Sequence, residues 1–243
     1  MAVGHLLSSL WLALLVGAVI VAANTEKAIF VAGPQHPASD KALSMVTSRL
    51  PRLTPDADGN TWRTGLPAVF PWADTFPLNG TTWVLLDNLT EGQRYELRVC
   101  WAATQPTEFA IDVYDLREVA ASPGLSSSLS SFVERYDGTT TPKNTPSTSS
   151  LLRIIAAADF VAADRSAMHP DRVPPVLTDI ILDPYLLNAV PRSLLPVVAV
   201  ILAVAGVSGL LARRVILPQL RAVAVDTAGT SETKAQNVQK KTR

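Results

Sequence analysis

Apolar residues are concentrated near both ends of the chain, in two long runs. Residues 6–23 contain no charged side chain, and residues 194–212 read LLPVVAVILAVAGVSGLLA. Because a helix rises about 1.5 Å per residue, the second run spans nearly the whole hydrocarbon core of a bilayer. The pattern predicts a signal peptide over residues 1–23 and one C-terminal transmembrane helix over residues 193–212.

The first run ends in Val21-Ala22-Ala23, whose small residues suit signal peptidase and would leave Asn24 at the new N-terminus. Only His5 and the α-amino group supply positive charge ahead of it. An uncleaved anchor helix is therefore the alternative, because a run of this length can just span a bilayer.

Basic residues flank the second run on its C-terminal side. Arg213 and Arg214 follow it directly, and the later charges are mostly basic. Positive flanks stay in the cytosol, so residues 213–243 are predicted to form a cytosolic tail and residues 24–192 a luminal domain. This is the topology of a single-pass type I membrane protein.

Lys240 and Lys241 stand fourth and third from the end of the chain. They resemble the dilysine retrieval signal of endoplasmic reticulum membrane proteins, which coat proteins bind. This resemblance places the protein in the endoplasmic reticulum membrane. The alternative is a solvated basic tail without a receptor.

The middle of the chain carries the alternation of β-strands. Tyr95, Leu97, Val99 and Trp101 alternate with polar residues and Cys100, a period of two that places them on one face of a strand. Further strands are expected near residues 27–32, 61–70 and 108–115. The predicted fold class is mainly β, with a luminal antiparallel β-sandwich.

Leu89 and Tyr95 flank a Thr-Glu-Gly turn. Their spacing resembles the tyrosine corner of fibronectin type III sandwiches, where the ring packs inward and the hydroxyl bonds to the backbone. That family has proline where this chain has Glu91, so the resemblance covers the corner and not a whole domain.

Three later segments have distinct compositions. Residues 122–150 are rich in Ser, Thr and Pro and are predicted to form a flexible loop. Residues 151–161 are apolar and fit either a strand or a helix, with a strand favoured. Residues 176–187, interrupted by Pro184, are expected to lie against the membrane surface just before the span.

Composition excludes two classes of protein. The chain has 21 basic and 21 acidic side chains, and a nucleic-acid binder needs a surplus of Lys and Arg. A hydrophobic fraction of 48% without net charge also argues against intrinsic disorder. The luminal segment is long enough for one domain and hardly for two.

Candidate chemistry in the luminal segment is sparse. His36 and His169 stand beside prolines without a second ligand at metal-binding spacing, so no metal or cofactor site is predicted. Asp56-Ala57-Asp58 imitates the acidic pair of glycosyltransferases, but the neighbouring Pro and Gly favour a turn. Nucleophile-elbow, P-loop and dinucleotide motifs are absent from the sequence. We therefore expect a protein without catalytic residues.

The luminal segment also contains two sequons, several acidic residues and one cysteine. Asn79 and Asn88 begin sequons and are candidate glycosylation sites. Acidic residues on or near the predicted strands are expected mostly to face solvent; these are Glu91, Glu96, Glu108 and Asp112. Cys100 is the only cysteine, so an internal disulfide is impossible. A half-buried thiol is favoured for it, and an intermolecular disulfide is the alternative.

The plan of the whole chain is a signal, an Asn24-Thr25-Glu26 start, a small luminal domain, one span and a short basic tail. It resembles the fungal co-activator subunit of GPI mannosyltransferase II. The resemblance implies a noncatalytic partner that stabilises or positions the multispanning enzyme adding the second mannose from dolichyl phosphate mannose. It supplies no catalytic residues.

Other classes stay open. A p24-type cargo receptor also combines a luminal sandwich, one span and a dilysine tail, but it has a heptad helix before the membrane, which Pro174, Pro175 and Pro184 disfavour. The other alternative is a chaperone or membrane-insertion subunit. Gly206 and Gly209 either allow a neighbouring helix to approach closely or reflect the usual glycine content of membrane helices.

Overall fold

The computed structural model describes residues 23–34, 46–137 and 148–219. The signal peptide apart from Ala23, His36 and the tail lysines Lys240 and Lys241 lie outside these residues. The chain divides into two compact units, with the boundary between Pro191 and Arg192.

The first unit is built from two β-sheets, which confirms the prediction of a mainly β fold. Sheet 1 has the strand order β1-β5-β8-β3, with β9 paired to β8, and sheet 2 has the order β2-β4-β7-β6. Every pair of strands is antiparallel except β2 and β4. The strands are β1 Ala23–Val31, β2 Arg52–Leu53, β3 Thr61–Leu66, β4 Thr81–Leu89, β5 Arg94–Ala102, β6 Thr107–Asp115, β7 Thr148–Ala158, β8 Val176–Leu186 and β9 Val190–Pro191.

One hydrophobic core takes side chains from both sheets. The four apolar residues of the alternating pattern on β5 all belong to it, as do Val84 and Leu86 of β4 and Ile180 and Leu182 of β8. The period of two in the sequence therefore identified the buried face of β5 correctly. Strands were also correctly expected near residues 27–32, 61–70, 108–115 and 151–161.

The turn between β4 and β5 lies where the corner was predicted. Leu89 is 6% exposed and Tyr95 1% exposed, and both belong to the shared core. The Tyr95 hydroxyl accepts a hydrogen bond from the backbone N–H of Thr90 at 2.9 Å. The ring of Phe30 on β1 stacks on the Tyr95 ring at 5.6 Å. The corner thus joins β1, β4 and β5.

The prediction of a loop over residues 122–150 is wrong for much of that segment. Two helices occur there and just before it, α1 (Leu116–Ala121) and α2 (Pro123–Arg135), and β7 begins at Thr148. Ser122 caps α2 by accepting from the N–H of Leu125, and Pro123 occupies the first turn. Serine at the N-cap and proline in the first turn both favour the start of a helix.

The two helices pack on the opposite face of sheet 2 from the shared core. A second hydrophobic cluster joins Trp83, Leu85 and Leu151 of the sheet to Val119 of α1 and to α2. The apolar residues of α2 recur at helical spacing, namely Leu125, Leu129, Phe132 and Val133. That spacing outweighs the serines between them, because it gives the helix one apolar face.

Residues 176–187, for which no strand was predicted, contain a strand of sheet 1. Val176–Leu186 is β8, which pairs with β5 on one side and β3 on the other. The first residue of β3, Thr61, pairs with Ile181, so β3 does not extend alongside Pro184. At Pro184 the only described strand beside β8 is β5. Proline is tolerated at such an edge, because its missing N–H removes no ladder hydrogen bond there.

The second unit contains one helix that is long and apolar enough to cross a membrane. It runs from Arg192 to Gln219, has a mean hydropathy of 2.6, and its most apolar window is 0% buried. Its regular part is α3 (Leu195–Leu211), followed by a π-helical segment, Ala212–Ile216.

The helix continues beyond the predicted end at residue 212 and is not at the C-terminus, since residues 220–243 follow it. Arg213 and Arg214 suggested an end, but Val215, Ile216 and Leu217 resume the apolar sequence.

Candidate functional site

The face of sheet 1 opposite the shared core carries a cluster of charged side chains. Glu96 on β5 stands directly opposite Asp183 on β8 in the strand register. The residues are only 7% and 4% exposed. Of the four acidic residues expected mostly to face solvent, Glu91 and Glu108 are exposed, but Glu96 is buried beside a strand that was not predicted.

Arg98 contacts both carboxylates. Its Nε lies 3.5 Å from Oε1 of Glu96, and its Nη2 lies 3.6 Å from Oδ2 of Asp183. Like charges in opposite positions of two strands repel each other. The guanidinium of Arg98 offsets this repulsion.

Tyr185 completes this carboxylate cluster of Glu96, Arg98, Asp183 and Tyr185. Its hydroxyl donates to Oε2 of Glu96 at 3.1 Å. Burial, and then the hydrogen bond to Glu96, raise the pKa of the Tyr185 hydroxyl above its usual value. The guanidinium of Arg94 lies 5.9 Å from the ring centroid. The tyrosine thus stays a protonated donor, and the cluster joins β5 to β8 through side chains as well as backbone.

The carboxylates of the cluster are occupied by donors within the domain. Glu96 accepts from Tyr185 and contacts Arg98, and Asp183 contacts Arg98. This arrangement links two adjacent strands of sheet 1 through buried side chains.

A second candidate feature is an open groove of about 720 Å³, which we call the Trp72 groove. It is lined by Trp72, Ser166, Met168, His169, Pro170 and Arg172. The indole of Trp72 is 61% exposed and stacks on the buried ring of Phe70 at 5.0 Å with an interplanar angle of 16°. The groove has the volume of small-ligand sites, and it combines an aromatic surface with polar side chains.

Sequence reasoning missed the Trp72 groove. His169 was considered only as a metal ligand, and Trp72 was not singled out. The groove arises because residues 166–172 fold beside residues about ninety positions earlier, which no local pattern indicates. The Phe70-Pro71-Trp72 segment was the available signal, since two aromatics flank a proline there.

The two sequons differ in environment. Asn88 is exposed, has a φ of 58°, and lies at the irregularity between Leu86 and Leu89 in β4. Its amide nitrogen, the atom that carries a glycan, donates to Oδ2 of Asp56 at 3.2 Å. Asn79 is half-buried and its amide oxygen accepts from Nη1 of Arg135 at 3.1 Å. Asn88 is the more open of the two sites.

The structure also shows the hydrogen bonds made by Asp56 and Cys100. Asp56 lies in a turn, where its carbonyl accepts from the N–H of Gly59 at 3.0 Å, in line with the turn interpretation. Cys100 is half-buried, and its Sγ accepts a hydrogen bond from the hydroxyl of Thr25 at 3.5 Å. It lies on the same side of β5 as Glu96 and Arg98.

No family model, curated protein or solved structure matches this chain. Function is therefore inferred from the plan of the chain, the apolar helix and the β domain.

Proposed function

We propose that the protein is a noncatalytic, single-pass subunit of the endoplasmic reticulum membrane that supports GPI-anchor biosynthesis. It stabilises or positions the multispanning mannosyltransferase that adds the second mannose. The observation that carries the membrane part of this proposal is the apolar helix, whose surface is not covered by the described part of the chain. A helix that is apolar all round needs lipid or other helices around it.

The orientation proposed is luminal for the β domain and cytosolic for the C-terminus. Arg213 and Arg214 lie toward the C-terminal end of the helix, which supports a cytosolic end on that side. Retrieval through Lys240 and Lys241 and coat proteins belongs to the same proposal, as does removal of a signal peptide.

The luminal domain is proposed to be a β-sandwich with helices on one side. Support comes from the core that both sheets share and from the separate cluster beneath α1 and α2. Sheet 1 then presents the guanidinium groups of Arg94 and Arg98 above the buried carboxylates of the cluster. A fixed polar surface of this kind suits docking on the luminal loops of one enzyme.

The apolar helix would pack against the transmembrane helices of the enzyme through a face with small residues. Gly206 and Gly209 lie three residues apart, and an added Cβ at either position would meet nothing within 4 Å. Residues three apart share a helix face, and small residues there let another helix approach closely. Lipid would cover the rest of the helix surface.

The strand β8 disfavours the p24-type alternative. Cargo receptors of that type have a heptad helix before the membrane, whereas the corresponding segment here is the strand β8. A chaperone or membrane-insertion subunit remains an alternative and would associate with many clients.

The deciding experiment is purification of a tagged full-length chain, followed by identification of its partners and analysis of GPI precursors in a deletion strain. We expect one multispanning mannosyltransferase and accumulation of the precursor with one mannose. Gly206→Leu with Gly209→Leu should weaken co-purification, while the control Val207→Leu should not. Normal precursors in the deletion strain would overturn the proposal, and many unrelated clients would favour the chaperone alternative.

A further inference from the structure

The hairpin that ends the β domain places a leucine where a turn residue is expected. β8 and β9 pair Leu186 with Val190, and the N–H of Ala189 donates to the carbonyl of Leu186 at 3.0 Å. The central residues of this turn, Leu187 and Asn188, have φ values of 51° and 55°. Turns with two positive φ values favour Asn, Asp and Gly, so Asn188 suits its position and Leu187 does not.

Leu187 gains nothing from the fold in return for this backbone strain. Its side chain is 99% exposed, so it contributes no burial to the domain. Leu186 and Val190 beside it are 40% and 37% exposed. A strained, fully exposed leucine at a hairpin tip is an observation that points to a contact outside the chain.

The neighbouring structure holds the turn in this conformation. The side chain of Asn188 donates to the carbonyl of Gly92 at 3.0 Å and accepts from the N–H of Arg94 at 2.8 Å. The side-chain amide of Gln93 donates to the carbonyl of Tyr185. The hairpin is therefore fastened to the tyrosine corner, and Leu187 is held outward by a rigid support.

The short connection to the apolar helix limits how far Leu187 can lie from a membrane that the helix crosses. The apolar helix begins at Arg192, and its regular part begins at Leu195. Four residues lie between Val190 and Leu195, so their Cα atoms are at most roughly 18 Å apart. A hairpin tied this closely to a membrane-crossing helix lies within reach of the bilayer on the same side as the domain.

On the basis of the proposed membrane span, we infer that the β8–β9 hairpin tip, formed by Leu186, Leu187 and Val190, inserts into the lipid interface. Leu187 buries its side chain among the upper acyl carbons, where the transfer of apolar surface from water is favourable. Arg192 follows the tip and can hold its guanidinium among the headgroup phosphates. The tip thus gives the β domain a membrane contact of its own.

The test uses the full-length chain in phosphatidylcholine vesicles that contain no other protein. In a Cys100→Ser background, an environment-sensitive dye is placed on Leu187→Cys. The matched control is Leu177→Cys at the other end of β8, which is 59% exposed and roughly 33 Å away along the strand. We expect nitroxide-bearing lipids to quench the dye at residue 187 several-fold more than at residue 177. Equal quenching at the two sites would overturn the inference.

A second variant separates lipid contact from a folding defect. Leu187→Asn gives the turn a residue that prefers its conformation, so thermal stability should be retained or raised. A dye on Val190→Cys should nevertheless lose lipid quenching in this variant. Unchanged quenching at residue 190 would count against insertion of Leu187. Neither result depends on the mannosyltransferase, so the proposed function can fail or succeed separately.

Discussion

The indole N–H of Trp83 donates a hydrogen bond to the hydroxyl of Ser128 across 3.2 Å, which joins β4 to α2. Trp83 is completely buried. A serine in a stretch whose composition resembles a linker thus satisfies a buried donor of the sheet. The Ser-rich segment is part of the domain's packing.

Replacing Phe132 by Ala tests the structural role of α2. Phe132 is 7% exposed in the cluster beneath the helices, and losing a buried aromatic ring of this kind costs about 3 kcal/mol or more. Denaturant unfolding of the full chain in detergent measures the loss. Glu134→Ala, on the exposed face of the same helix, should change the free energy of unfolding very little. Equal effects of the two changes would contradict the packing of α2.

Replacing Arg98 by Met tests the carboxylate cluster. Glu96 and Asp183 would then face each other without their shared cation, and breaking a buried ion pair in this way costs about 3 kcal/mol. The control Arg153→Met removes a pair with Asp112 whose carboxylate side chain is 41% exposed. Its free energy of unfolding should fall by about 1 kcal/mol or less. Restoration of stability by adding Glu96→Gln to Arg98→Met would show that the cost is electrostatic.

Tyr95→Phe isolates the hydrogen bond of the corner. The ring still packs beside Phe30, but the N–H of Thr90 loses its acceptor. We expect the free energy of unfolding to fall by about 1 kcal/mol. Tyr136→Phe, which preserves the ring stack on Phe132, is the comparison. If both changes have the same effect, the corner hydrogen bond contributes nothing specific.

The exposed pair of Arg63 and Asp179 makes a prediction about pH. The hydrogen bonds from Arg63 lower the pKa of Asp179 below its usual value of 3.8. A carboxylate with a lowered folded-state pKa adds stability above its unfolded pKa, and that stability is lost as the pH falls through the folded value.

Arg63→Gln should therefore be less stable than the parent at neutral pH, and the difference should disappear once Asp179 is protonated in both proteins. An NMR titration of the Asp179 carboxyl, compared with the exposed control Arg117→Gln, checks this. An Asp179 titration curve that does not move in Arg63→Gln would contradict the prediction.

Glycosylation tests the luminal placement. Asn88 is exposed at an irregular point of β4, so we expect it to carry a glycan. Asn88→Gln should increase gel mobility and reduce the shift caused by endoglycosidase H. Asn79→Gln should have a smaller effect, because Arg135 engages that half-buried side chain. A parent protein that endoglycosidase H leaves unchanged would contradict the prediction.

Periodicity predicted the parts of the fold that local sequence controls. The alternation from Tyr95 to Trp101 gave the buried face of β5, and the apolar run after residue 150 gave β7. The helix α2 was missed because serines obscured the spacing of Leu125, Leu129 and Phe132. The strand β8 was missed because Pro184 and the nearby span suggested a different environment.

The candidate sites could not be read from local sequence, because their residues are distant along the chain. Glu96 is buried by contacts with residues 183 and 185, almost ninety positions later. The Trp72 groove likewise joins residues from separate segments. Only the pairing of β5 with β8 and the packing of residues 160–172 bring these side chains together.

The length of the apolar helix constrains the membrane that holds it. Its 28 residues would measure roughly 42 Å, whereas a typical hydrocarbon core is about 30 Å thick. The uncharged stretch of the helix, residues 194–212, measures only roughly 28 Å, so the surplus lies in the ends that carry Arg192, Arg213 and Arg214. The apolar length therefore fits the roughly 27 Å hydrocarbon core of the early secretory pathway, and the charged ends would project among the headgroups on either side.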